Sequence, residues 1–184
     1  RKNNFKLKPL LRHICLSSEY KAGPLRGKFP ARRLDAEVLD DAICGITGAE
    51  HKFSSLAPEP YTFIPPHRKA VLLEDGSISS AFLMLFGRPA RDTGAMEERK
   101  NEITKKQRLY LYNSASLWNA LGRFAKDEKF AAMKHADQME ELFMRFLSRP
   151  PSKEELALVD PKGNAAARDV AWYLVNSYEF LYRI

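Results

Sequence analysis

Apolar positions recur along much of the chain with the 3.6-residue period of an amphipathic helix. The first such segment spans residues 5–20, and its apolar face comprises Leu7, Leu10, Leu11, Ile14 and Cys15. A second segment spans residues 31–48, carries Asp35 and Glu37 where they suit the dipole of a first turn, and ends at Gly48. The pattern therefore predicts two helices before residue 49, separated by a Gly/Pro-rich loop.

The same period returns in the second half of the chain, over residues 79–89, 101–125, 135–151, 152–159 and 165–184. Thr104 with Gln107, and Ser152 with Glu155, have the spacing of capping boxes that begin helices. Gly87 ends the short helix predicted within residues 79–89. A kink is expected near residues 113–114.

No helical period survives between residues 49 and 77, where prolines stand at positions 58, 60, 65 and 66. A loop of this length is uncommon and is usually either functional or well packed. Residues 69–75, KAVLLED, read as one short strand.

These patterns predict a mainly α fold of about seven helices, with a long Pro-rich loop and at most one or two short strands. Neither a repeat nor a linker divides the chain, so residues 1–184 are expected to form a single irregular helical domain. Because the chain opens at Arg1 without a methionine, we interpret it as an excised fragment or a processed product.

The charge of the chain favours weak attraction to anions. Thirty basic and 23 acidic residues give a net charge of +7, and no stretch is apolar enough to predict a membrane span. An anionic glycan is therefore a possible ligand. Nucleic acid is the less favoured partner, since the chain has neither an aromatic RNA-binding run nor zinc-finger spacing.

Sequence motifs for catalysis or cofactors are missing. We find no phosphate-binding glycine loop, no nucleophile elbow and no histidine pair at metal-ligand spacing, and therefore predict no cofactor and no metal site. The two cysteines, Cys15 and Cys44, both lie in apolar helical patterns. They are interpreted as buried free thiols, or alternatively as a disulfide between two helices in an oxidising compartment.

Arginines concentrate around a Gly-Arg-Pro corner in the stretch FGRPARDTGAMEER, residues 86–99. Arginine can hold a carboxylate, phosphate or sulfate through two parallel hydrogen bonds, or it can fix a loop internally through a nearby acid such as Glu98 or Asp92. We favour the internal network and keep the anion site as the alternative. The candidate anion-binding residues are Arg32, Arg33, Arg88, Arg91, Glu98 and Arg99.

Five stretches in order together resemble one family: FPARRLDAEVLDDAICGITG, FLMLFGRPARDT with a following ER, TKKQRLYLYNS, LFMRFLSRPPSKEEL and ARDVAWYLVNSYEFLYR. They are similar to the C-terminal domain of unknown function of planctomycete and verrucomicrobial proteins, which often accompanies a planctomycete-type cytochrome c domain. The resemblance implies that the chain is the C-terminal part of a larger protein, exported to the periplasm or cell envelope. Many relatives carry Cys-x-Cys-Glu-Arg where this chain has residues 95–99, AMEER, so the resemblance implies no thiol chemistry there.

The resemblance supplies no reaction, so three hypotheses remain. The first is a non-catalytic module that binds other domains of the same protein, cell-envelope proteins or an anionic glycan. The second is part of an enzyme that acts on extracellular polysaccharide or with a redox partner. The third is a weak nucleic-acid binder.

Overall fold

The computed structural model describes residues 7–21, 31–57, 60–64, 67–73, 76–89, 99–100 and 102–183. Its α-helices are α1 (Leu7–Leu16), α2 (Ser18–Lys21), α3 (Ala36–Thr47), α4 (Ala81–Leu85), α5 (Lys105–Asn113), α6 (Ala115–Phe124), α7 (Glu128–Ala131), α8 (His135–Leu147), α9 (Lys153–Val159), α10 (Ala167–Val175) and α11 (Tyr178–Leu181). Seven of them have seven or more residues, and the mainly α prediction is confirmed.

Helix ends follow the chemistry of the sequence. Thr104 and Ser152 each accept a hydrogen bond from the backbone three residues later, and the two predicted capping boxes are complete. The kink expected near residue 113 is a break between α5 and α6, because Ser114 ends the first helix and caps the second. Gly48 ends α3 with a φ of 64°, a left-handed conformation that glycine adopts without strain.

The core lies where α10 packs against α6 and α8, with α3 and α4 closing one side. Its fully buried side chains include Leu39, Leu83, Leu121, Leu142, Phe143, Leu174 and Val175, each at most 1% exposed. Most of them come from the apolar stripes that predicted these helices, so the periodicity located the core correctly. The last predicted segment is interrupted, since Ser177 caps the separate helix α11.

Two small antiparallel sheets join distant parts of the described chain. β1 (Arg32–Arg33) pairs with β4 (Tyr182–Arg183), and β2 (Ser54–Ser55) pairs with β3 (Ile78–Ser79). The strand predicted over residues 69–75 is wrong. Residues 70–72 form a 3₁₀ turn instead, whose first two backbone amides donate to the Asp41 carboxylate at 2.7 and 3.1 Å.

Helix α1 forms as the pattern predicts, but none of its residues is buried. Leu7, Leu10 and Leu11 are each more than half exposed. Cys15 on this helix is an exposed free thiol, so its predicted burial is wrong, whereas the free thiol of Cys44 is half-buried in α3. Within the described residues, no helix combines the length and apolarity needed to cross a bilayer.

Candidate functional site

Three of the candidate arginines converge beside the first turn of α3. Arg33 lies in β1, shortly before that helix begins, and Arg88 lies shortly after the end of α4. Arg99 is brought close by a backbone contact in which Lys100 N–H donates to the Gly87 carbonyl at 3.2 Å. Gly87 has a φ of 94°, and a β-carbon there would lie 2.1 Å from the Lys100 carbonyl oxygen, so only glycine fits.

Glu37, in the first turn of α3, is the carboxylate at the centre of this cluster. The Arg99 guanidinium donates to both of its oxygens at 2.7 Å, and Arg88 Nε lies 3.3 Å from Oε1. The Glu37 side chain is only 8% exposed. Burial alone would raise its pKa, but the hydrogen bonds from Arg99 and the charges of Arg99 and Arg88 hold that pKa below its usual value.

Other donors of Arg88 and Arg33 point to backbone carbonyls and one side-chain amide. Arg88 donates to the carbonyls of Ile78 and, at 3.5 Å, Leu73. Arg33 Nη2 donates to the Phe86 carbonyl at 2.6 Å, while Nη1 donates to the Gln107 side chain and to the Glu102 carbonyl.

The arginine cluster therefore fixes the chain internally through Glu37. Because Glu37 and backbone carbonyls take up these guanidinium groups, the arrangement joins α3, α4 and the start of α5 rather than presenting an open anion site.

The other predicted residues of the cluster fall elsewhere. Arg91, Glu98 and the alternative partner Asp92 lie outside the described residues. Arg32 is exposed on β1, where it stands opposite Arg183 of β4. The structure thus brings together Arg33, Arg88 and Arg99, and it places Arg32 apart from them.

A small pocket opens on the other side of Arg33. It has a volume of about 210 Å³ and is lined mainly by aromatic and aliphatic side chains, with polar groups from Arg33, Gln107, Arg108 and Asn176. Three tyrosines contribute rings, namely Tyr112, Tyr178 and Tyr182. Arg33 Nε is buried and has no hydrogen-bond partner among the described residues.

The tyrosines of this pocket are held by ring contacts. Tyr178 and Tyr182 stack with centroids 4.4 Å apart, and Tyr112 packs against Trp172 at 5.9 Å. Even so, Tyr112 and Tyr178 remain 54% and 55% exposed. Asn176 is anchored at the end of α10, where its Nδ2 donates to the Trp172 carbonyl at 2.8 Å.

A second cluster lies at the other end of α3, in a cleft of about 810 Å³. Asp40 and Cys44 are one helical turn apart on α3, and His51 folds back onto them after the turn at Gly48. His51 Nδ1 lies 2.8 Å from Asp40, and its Nε2 lies 3.2 Å from Asp41. The imidazole also stacks on Phe53 at 5.1 Å, which fixes the plane of the ring.

The electrostatics of this cluster follow from its burial. Burial raises the pKa of the Cys44 thiol to about 12, with further contributions from the carboxylates of Asp40 and Asp41. Burial also raises the pKa of Asp40, against the lowering effect of His51. Ligand atoms of Asp40, Cys44 and His51 all lie within 4.8 Å of one another, so these three residues could hold a metal ion.

Sequence reasoning missed both Glu37 and the Asp40–Cys44–His51 cluster. The sequence pattern indicates that Glu37 is well placed in the helix dipole, but it does not indicate the pairing of Glu37 with Arg88 and Arg99. The four-residue spacing of Asp40 and Cys44 is a usable signal, since it puts both on one helix face. The return of His51 depends on a turn whose direction no short-range pattern specifies.

A family model described as "Protein of unknown function (DUF1553)" matches residues 1–161. The chain therefore belongs to the DUF1553 family, which confirms the predicted membership in a family of unknown function. No curated protein and no solved structure matches the chain significantly.

Proposed function

We propose that this member of the DUF1553 family is a non-catalytic binding module of a bacterial extracytoplasmic protein, and that it binds a glycan carrying anionic groups. The observation that carries the proposal is the tyrosine-lined pocket beside Arg33. The export of the protein, its planctomycete origin and its association with cytochrome c domains belong to the same proposal and rest on the resemblance of the sequence alone.

The exposed rings of the pocket suit a sugar. Pyranose rings present apolar C–H faces together with hydroxyl groups, and aromatic side chains with a polar end match both. Tyr112 and Tyr178 leave more than half of their surface in water, although burying such rings is favourable. At about 210 Å³ the pocket is smaller than those of drug-sized ligands, so it fits one unit of a longer polymer.

The polar residues of the pocket favour an anionic ligand over a neutral one. Arg108 is exposed at the rim, where its guanidinium can pair with a carboxylate or sulfate through two hydrogen bonds. Asn176 adds an amide. The net charge of +7 favours approach of a polyanion.

Binding is favoured over catalysis because of what lines the pocket. Among its described lining residues there is no carboxylate, imidazole or thiol, the groups that most often act as general acids, general bases or nucleophiles. Tyrosine, arginine and amide side chains hold and orient a ligand. The arrangement therefore supports recognition without a reaction.

The test compares dextran sulfate with unsulfated dextran in isothermal titration calorimetry at physiological salt. We expect dextran sulfate to bind more tightly, and Tyr178→Ala to weaken its binding about tenfold, or about 1.4 kcal/mol. Tyr173→Ala is the matched control, since Tyr173 is an exposed tyrosine of α10 outside the pocket. Arg108→Gln is paired with Lys106→Gln, an exposed cation of the same helix that does not line the pocket.

Equal effects of the two tyrosine variants, or of the two cation variants, would show that the polyanion is attracted only by the overall charge. That result, or no binding at all, would refute the pocket as a glycan site.

A second role is favoured by the apolar face of α1. We propose that this face packs against another domain of the same protein. Its apolar side chains are between 45% and 71% exposed, namely those of Leu7, Leu10, Leu11 and Ile14. A contiguous exposed apolar face on a helix indicates a surface that packs against another element.

A further inference from the structure

We propose that Asp40, Cys44 and His51 form a binding site for a divalent transition-metal ion of the zinc type, with one coordination position open to the adjoining cleft. The inference goes beyond the proposed glycan-binding function, because it concerns the opposite end of α3 and a different class of ligand.

The donor set determines the type of metal. A thiolate, an imidazole and a carboxylate are the ligands that Zn²⁺ takes in proteins, whereas Mg²⁺ and Ca²⁺ prefer oxygen ligands alone. On binding, the Cys44 S–H bond breaks, a sulfur–metal bond forms and the proton passes to solvent.

The geometry of the three residues is close to what such a site needs. In a tetrahedral centre with Zn–S near 2.3 Å and Zn–N near 2.0 Å, ligand atoms lie roughly 3.5 Å apart. Asp40 Oδ2 and His51 Nδ1 are 2.8 Å apart, and all three ligand atoms lie within 4.8 Å of one another. These separations lie on either side of that value, so small side-chain rotations would place the three ligand atoms around an ion.

Asp41 serves as the residue that orients the imidazole. Its carboxylate is fixed by the backbone amides of Ala70 and Val71, at 2.7 and 3.1 Å, and one of its oxygens lies 3.2 Å from His51 Nε2. The ring hydrogen-bonds with Asp40 through Nδ1, at 2.8 Å. When the ring proton is instead on Nε2, beside the Asp41 carboxylate, the lone pair of Nδ1 faces the proposed ion. A carboxylate on the far nitrogen of a metal-binding histidine is a common arrangement in such sites.

The cleft explains why three protein ligands are enough. Asp40, Cys44 and His51 line its wall together with Tyr110, Asn119 and Arg123. Its volume of about 810 Å³ leaves room for water or an anion as the fourth ligand. Three protein ligands with an accessible fourth position are typical of zinc sites that bind an exogenous group.

The test uses the whole chain, freed of metal by a chelator and then titrated with Co²⁺ and Zn²⁺. We expect one equivalent of Co²⁺ to give a thiolate-to-cobalt charge-transfer band and the intense visible bands of tetrahedral coordination. Zn²⁺ should displace it and abolish both. Cys44→Ser should remove the charge-transfer band, and Cys15→Ser, which alters the exposed cysteine of α1, should keep it.

Two further variants separate the metal ligands from effects on folding. His51→Gln should weaken Zn²⁺ binding by more than tenfold, and Asp41→Asn by about tenfold through loss of the orienting contact. His135→Gln is the matched control, because His135 pairs with Asp160 away from the cleft. Thermal melts confirm that each variant is folded.

The proposal is overturned if Co²⁺ shows only weak octahedral bands, or if Cys44→Ser and Cys15→Ser give the same spectrum. Neither result would bear on the glycan pocket, which shares no lining residue with the cleft.

Discussion

Glu37 and Arg99 form a two-pronged ion pair in which each carboxylate oxygen accepts a hydrogen bond of 2.7 Å from a separate guanidinium nitrogen. The pair joins the first turn of α3 to the segment that follows the Gly-Arg-Pro corner. Since Arg88 also approaches the same carboxylate, one buried acid neutralises two arginines from different parts of the fold.

Glu37→Gln should therefore destabilise the protein markedly. The amide keeps the shape of the side chain but removes the negative charge beside Arg88 and Arg99, and removing one partner of a buried pair costs about 3 kcal/mol. Urea unfolding followed by circular dichroism measures the loss. Glu141→Gln is the control, because Glu141 pairs with Arg145 on the exposed face of α8 and should cost less than about 1 kcal/mol.

Stability should depend on pH through the same carboxylate. Its pKa is lower in the folded chain than in the unfolded one, where a glutamate titrates at about 4.3. The ion pair therefore stabilises the fold fully above that value, and its contribution is lost as the pH falls through the folded pKa.

We expect the difference in unfolding free energy between wild type and Glu37→Gln to be constant near neutral pH and to shrink below about pH 4. Urea titrations across this range measure it. Other paired carboxylates, such as Glu155, whose pKa is lowered to about 2 by Arg149, affect both proteins equally. A difference that persists unchanged at low pH would contradict the role given to Glu37.

Gly87→Ala should destabilise the fold strongly, although it adds only one methyl group. The left-handed φ of 94° strains any other residue, and the added carbon would meet the Lys100 carbonyl at 2.1 Å. We expect a loss of about 2 kcal/mol or more in thermal unfolding. Gly45→Ala, within α3 and with nothing within 4 Å of the added carbon, should instead stabilise the helix by up to about 1 kcal/mol.

The helices were predictable because their signals are local. Thr104 and Ser152 bond to groups three residues away, and the apolar stripes of α8 and α10 repeat within two turns. The same locality explains the wrong strand at residues 69–75. Its apolar run satisfies a strand pattern, but the backbone amides of residues 70 and 71 are held by Asp41 of α3, a contact that the run itself does not encode.

The candidate sites were less predictable because they join residues far apart in sequence. The arginines near residue 88 favour an internal network, and the acids beside them in the sequence are the partners that the sequence suggests. The actual partner is Glu37, which stands fifty-one positions before Arg88. His51 reaches Cys44 only through the left-handed turn at Gly48. Long-range pairings of this kind depend on how the helices pack, which periodicity alone does not specify.

The apolar face of α1 gives a last expectation, about association. The isolated chain exposes Leu10, Leu11 and Ile14 by 45–58% each, and if this face normally packs against another domain, two copies should cover it when that domain is missing. We expect the sedimentation coefficient to rise with concentration in analytical ultracentrifugation.

The double variant Leu11→Asp with Ile14→Asp should abolish the rise without lowering the melting temperature, since neither side chain is buried. Leu158→Asp, at a 67% exposed position of α9, is the control and should leave association unchanged. If the control and the double variant behave alike, α1 is a solvated helix and another surface must mediate contact with partner domains.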